Sequence, residues 1–94
     1  MTRRQIFKED FSGFDIFEEP DGSFTVNDRS NISRYSISGV DGYMHLEDVI
    51  FSLVSHIKES ERIYRYVEDK ISSYLEDIAR NNSVRIKKVD ESRF

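Results

Sequence analysis

The chain has 94 residues, seven Phe, five Tyr and a formal net charge of −4. Such a length makes one domain, residues 1–94, near the lower edge of sizes that fold alone, and the large periodic side chains exclude disorder over residues 5–89, leaving residues 1–4 and 90–94 as flexible tails. The absence of Cys excludes disulfides, thiolate metal sites and a cysteine nucleophile, and the mild acidity argues against broad affinity for nucleic acid, which requires cations on phosphates.

The expected elements run in chain order as follows. Gln5–Lys8 is a candidate short strand. Phe14 and Ile16 alternate with Asp15, and Phe24 and Val26 alternate with Thr25, the period of a half-buried strand. Between them Pro20-Asp21-Gly22 predicts a hairpin turn, because Pro presets φ and Gly accepts the left-handed position that follows. Ser33–Ser38 is a further strand with Tyr35 and Ile37 on one face. After a turn at Gly39–Gly42, with Asp41 as the expected helix cap, Leu46, Val49, Ile50, Leu53, Val54 and Ile57 recur at helical spacing. Met44 and Phe51 widen that stripe, so the helix calls for cover on more than one side. Ser60 is the expected N-cap of a second helix, whose apolar stripe is Ile63, Tyr64, Val67, Ile71, Tyr74, Leu75 and Ile78 and which ends at Asn81-Asn82. Val84 and Ile86 form a last strand. The predicted fold is α+β: a small antiparallel sheet of three to five strands, order β-β-β-α-α-β with an optional extra N-terminal strand, carrying two helices on one face.

No catalytic or metal motif emerges. His45 and His56 are 11 residues apart, about 16 Å along one helix, whereas helical metal pairs sit one turn apart; both read as solvated histidines on the polar face. No serine lies in a nucleophile elbow, the four glycines build no phosphate loop, and Asp21-Gly22 and Asp41-Gly42 lack the alternating oxygen ligands of a calcium loop. No cofactor is expected.

Acidic residues cluster. Six adjacent pairs hold 12 of the 18 acids, so most of the negative charge is delivered in doublets. Glu18, Glu19, Glu47, Asp48, Glu68, Asp69, Glu76 and Asp77 are the candidate contacts for a protein partner. The pairs at 68–69 and 76–77 are separated by about 12 Å along the second helix, a spacing at which carboxylates imitate duplex phosphates. In size and acidic clustering the chain resembles the small DNA-mimicking anti-restriction proteins of bacteriophages. That likeness lies in composition, and it implies occupation of the site of a nucleic-acid-binding protein. Against it stands a plain solvated helix, laced by Glu61–Arg65, Arg65–Asp69 and Glu76–Arg80 at i,i+4.

The opposite charge gathers at Arg80, Arg85, Lys87 and Lys88, joined by Arg3, Arg4 and Lys8 if the terminal strands pair. A nucleic-acid contact through these bases is the second functional reading; with no aromatic platform interleaved, charges that protect an edge strand explain them better. A small enzyme assembled from carboxylates and tyrosines is the third. Aromatic surplus favours a homodimer, with Met44, Phe51, Tyr66 and Tyr74 as candidate contacts. No signal peptide or membrane span is read, and the expected location is the cytoplasm of a cell or of an infected host cell. The leading expectation is therefore a non-enzymatic, dimeric protein-binding inhibitor or modulator.

Overall fold

A computed structural model of the chain describes residues 2–30, 32–63 and 68–89. Four strands lead: β1 (Arg4–Ile6), β2 (Phe14–Glu18), β3 (Phe24–Asp28) and β4 (Ser33–Ser38). Helices α1 (Tyr43–Ile63) and α2 (Glu68–Asn82) follow, and β5 (Arg85–Val89) closes the chain. The five strands form one antiparallel sheet in the order β1-β2-β3-β4-β5. The optional N-terminal strand is thus real, and the α+β class with two helices on a small sheet holds.

Register follows the alternation of the strands. Ile6, Ile16, Val26 and Tyr35 stand across from one another on successive strands, as do Phe24, Ile37 and Ile86. That face is buried under the helices, where Ile16, Val26, Tyr35 and Ile37 meet Leu46, Val49, Ile50, Leu53 and Ile57 of α1 and Leu75 and Ile78 of α2. The opposite face carries Gln5, Asp15, Phe17, Thr25, Asn27, Arg34, Ser36, Arg85 and Lys87, the one-sided pattern expected of an antiparallel sheet that meets water.

The β2–β3 hairpin closes as its residues require. The Gly22 N–H donates to Glu19 O, Glu19 N–H donates to Ser23 O, and Gly22 holds φ +91°. Asp21 Oδ1 accepts from both the Ser23 amide and its hydroxyl.

Four local expectations are corrected. β1 stops at Ile6, because Phe7 turns left-handed at φ 52° and starts a loop that drops Phe11 into the core. Asp41 does not cap α1: the first helical amide bond runs from Leu46 to Gly42 O, and the Asp41 amide donates outward to His45 Nδ1. Ser60 is not an N-cap. It continues the buried face of α1 one turn after Ile57, and its Oγ has no hydrogen-bond partner among the described residues. Neither Gly nor Pro occurs between Gly42 and Ser60, so α1 runs on through Ser60 to Ile63. α2 ends where Asn81-Asn82 predicts, but Ser83 supplies the left-handed residue at φ 56°; Ser83 N–H reaches Arg80 O and Val84 N–H reaches Ala79 O, a Schellman closure with Val84 buried. The side chains of Tyr64, Val67 and Ile71 in the expected α2 stripe, and residues 90–94 of the expected tail, lie outside the described residues.

Candidate protein-interaction surface

Three sides of α1 are engaged. Its inward face meets the sheet. On one flank His45, half-buried, accepts the Asp41 amide at Nδ1 (3.1 Å) and places Nε2 2.8 Å from Asn82 O, which fixes the neutral Nε2–H tautomer and ties the start of α1 to the end of α2. About two turns before α1 ends, His56 lies against Tyr74 with ring centroids 5.1 Å apart. His45 is therefore a tether between helices, not the solvated residue its polar face suggested, whereas His56 is exposed as expected. On the other flank Tyr43 packs edge-on against Phe7 and Phe24.

The fourth side is open. Met44 is 85% exposed and Phe51 67% exposed, two turns apart on one face, with exposed Glu47 and Asp48 between them. A large aromatic left in water on an otherwise packed helix forgoes most of the roughly 2 kcal/mol that burying it gives. Of the expected dimer contacts, Met44 and Phe51 thus share this surface, Tyr74 is half-buried against His56, and Tyr66 lies outside the described residues.

The acidic pairs do not behave alike. Glu18 Oε1 accepts from Arg4 Nη2 and from the Tyr43 hydroxyl, each at 2.7 Å, and Arg4 also donates to that hydroxyl at 2.8 Å. The Tyr43 hydroxyl first, and then Arg4, hold the Glu18 carboxyl below the usual range, while Glu18 pushes the Tyr43 hydroxyl up. Glu19 accepts from Arg3 Nη2 at 2.7 Å and Nε at 3.3 Å, and from Thr25 Oγ1 at 2.6 Å; the Arg3 contact chiefly lowers its pKa against the opposing effect of burial. Arg3 also lies 4.1 Å from the centre of the Phe17 ring. These two arginines belong to the stretch that reads as a tail from sequence. On α2, Asp77 pairs with Arg80, while Glu76 is exposed. Glu47 and Asp48 form no ion pair with another described residue. The side chains of Glu68 and Asp69 lie outside the described residues.

The bases do not gather into one patch. β1 and β5 occupy opposite edges of the sheet, so Arg3, Arg4 and Lys8 are about 19 Å, four strand spacings, from Arg85 and Lys87. Arg80 is engaged by Asp77. Arg85 and Lys87 project from the open face of the edge strand, as expected, and Arg34 of β4 shares that face, an alignment visible only once β4 and β5 are known to pair. Lys88, opposite Tyr35, points the other way.

Among the described residues no group of three or more His, Asp or Glu stands close enough to hold a metal ion, and no helix is long and apolar enough to cross a membrane. Surface concavities are shallow: one of about 280 Å³ is bordered by Asp15, Asn27, Arg29 and Ile32 at the β3–β4 end, and one of about 320 Å³ by Arg4, Ile6, Phe7 and Tyr43. The first brings Asp15 and Asp28 to one rim, but both are engaged: Asp15 accepts from Gln5 and Arg29, and Asp28 from the Ser30 amide. No protein-family model, no curated protein and no solved structure matches the chain.

Proposed function

We propose that the chain is a non-enzymatic binding protein that modulates a protein partner through the outward face of α1. The observation that carries this reading is the exposure of Met44 and Phe51 on a side of α1 away from the sheet, the Phe7 loop and α2, with Glu47 and Asp48 between them, neither of which forms an ion pair among the described residues. Apolar anchors rimmed by charge are the usual make-up of a protein contact. Imitation of duplex phosphates is the sharper version of the same idea. Its support narrows to Glu47, Asp48 and Glu76, because Glu18, Glu19 and Asp77 already neutralise arginines of their own chain. Direct nucleic-acid binding through Arg80, Arg85, Lys87 and Lys88 has less support, since those side chains face in different directions and one is ion-paired.

The test is capture from nuclease-treated lysate with the wild-type chain, F51E and E47Q/D48N, washed at low and then high salt. A partner retained by the wild type and lost by F51E is expected, with E47Q/D48N releasing it at lower salt. If both variants capture the same partner as strongly as the wild type, the face is not the contact.

A further inference from the structure

We infer that the outward face of α1 is built to pair antiparallel with α1 of a second copy; this rests on the reading of that face just given and names its occupant. The residues exposed along it include positions 44, 48, 51, 55, 58 and 62, which advance in alternating steps of four and three. That is the 3.5-residue seam along which two helices supercoil. Charge along the seam is not random. The N-terminal half carries only acid, at Glu47 and Asp48, whereas both bases, Lys58 and Arg62, sit in the C-terminal half beside Glu59 and Glu61.

An antiparallel pair with its two-fold axis beside Ser52–Leu53 sets each acidic half against the half that holds both bases. Glu47 and Lys58 project 20° apart around the helix at 100° per residue, so they lie on one flank. A two-fold axis keeps like flanks together, which places Glu47 opposite position 58 of the second copy, twice per dimer; Lys58 Nζ, 6.0 Å from the centre of its own Phe14 ring, turns outward to meet it. On the other flank Asp48 approaches Glu59 of the second copy. There Arg62, whose Nη2 already lies 2.9 Å from Glu59, supplies the balancing cation. At the centre, Ser55 is small and exposed, leaving room for Phe51 of the second copy. A parallel pair would instead face acid with acid and base with base. The charge order therefore selects a second copy in one orientation. The contact is a single helix pair, below the size of a permanent interface, so the association is weak and salt-sensitive.

Sedimentation of the intact chain from about 1 µM to about 1 mM reads this directly. A species of two 11.1 kDa chains is expected at low salt, weakened about tenfold in 1 M salt, where charges more than about 3 Å apart are screened. F51E, E47K and K58E alone should each run as single chains. The decisive sample is an equimolar mixture of E47K and K58E: each variant repels itself at both flank contacts, but together they restore two opposite-charge contacts, and the two-chain species returns. Both variants remain net negative, because one reversal moves the charge of −4 by only two, so bulk attraction does not explain a recovery. Circular dichroism of each variant confirms that the exposed substitutions leave it folded. A wild-type chain that stays single across the range, or a mixture that stays single, overturns the pairing. Capture of a different protein that still depends on Phe51 would then leave the earlier reading standing; a two-chain wild type indifferent to F51E overturns the pairing, and the earlier reading falls only if capture is indifferent to F51E as well.

Discussion

The inward and outward faces of α1 carry comparable apolar side chains with opposite fates. Leu53 is 1% exposed, between sheet and helix; Phe51, two residues earlier, is 67% exposed. Neither residue type nor local helix propensity separates them. What separates them is the 200° between their directions around the helix, together with the fact that the described residues form only one sheet. The largest expected effect follows directly. Leu53→Ala removes buried methyl groups from a filled core and costs about 2–5 kcal/mol, a large share of the roughly 5–15 kcal/mol that holds a small domain together. Phe51→Ala shifts stability by no more than about 0.5 kcal/mol and acts on association alone. Urea midpoints of the two variants decide it; a Phe51→Ala variant as unstable as Leu53→Ala would mean that the outward face is packed within the chain.

Sequence exposes one side of that comparison well and the other poorly. The period of Leu46, Val49, Ile50, Leu53 and Ile57 marks the buried stripe, and Pro20-Asp21-Gly22 marks its turn, because both are settled by residues close in the chain. Met44 and Phe51 are visible only as an excess at the stripe's edge. Whether that excess is covered depends on where α2 and the loop at Phe7–Gly13 finally lie. The same limit explains the corrections. Ser60 has the chemistry of a cap, but a serine can also continue a buried helix face when nothing breaks the helix, and Ile57 one turn earlier shows that it does. Arg3 and Arg4 look like a loose basic tail until β1 pairs with β2 and sets Arg4 against Glu18. The acidic doublets illustrate the point most sharply. Glu18-Glu19 and Glu47-Asp48 are alike as text, yet the first pair borders a strand with arginines arriving from the neighbouring segment, and the second rides a helix face with no described cation paired to it.

The flank of α1 between these two faces gives an intermediate effect. His45 joins Asp41 N–H to Asn82 O across 37 positions of sequence between His45 and Asn82, so it couples the start of one helix to the end of the other. His45→Ala leaves one donor and one acceptor to a partly wet site and should cost about 1–2 kcal/mol. Its signature is local: amide exchange at Ser83 and Val84, which close α2, should quicken more than exchange at Val26 in the middle of the sheet. Uniform quickening across both would show that His45 contributes only to global stability, and that the helix-to-helix tie is incidental.

The smallest effect distinguishes the two acidic doublets. Glu18 and Glu19 have folded-state pKa values below the usual 4.5, through Tyr43 and Arg4 for the first and chiefly Arg3 for the second. A carboxyl that is easier to ionise when folded adds stability above its unfolded pKa, and that contribution disappears as pH falls through the lower folded value. Both groups are near the surface, so water screens the gain and it stays below the cost of losing His45. Glu18→Gln/Glu19→Gln should therefore be slightly less stable than the wild type at pH 7, and the two urea midpoints should converge as pH is lowered past 4.5 toward 3, where the wild-type carboxyls carry protons too. E47Q/D48N removes no ion pair between described residues, so at pH 7 its midpoint should match the wild type within about 0.5 kcal/mol. A gap between the Glu18→Gln/Glu19→Gln variant and the wild type that persists unchanged at pH 3 would mean that the arginine contacts at the β1 edge depend on side-chain shape and packing, with the carboxylate charges contributing nothing.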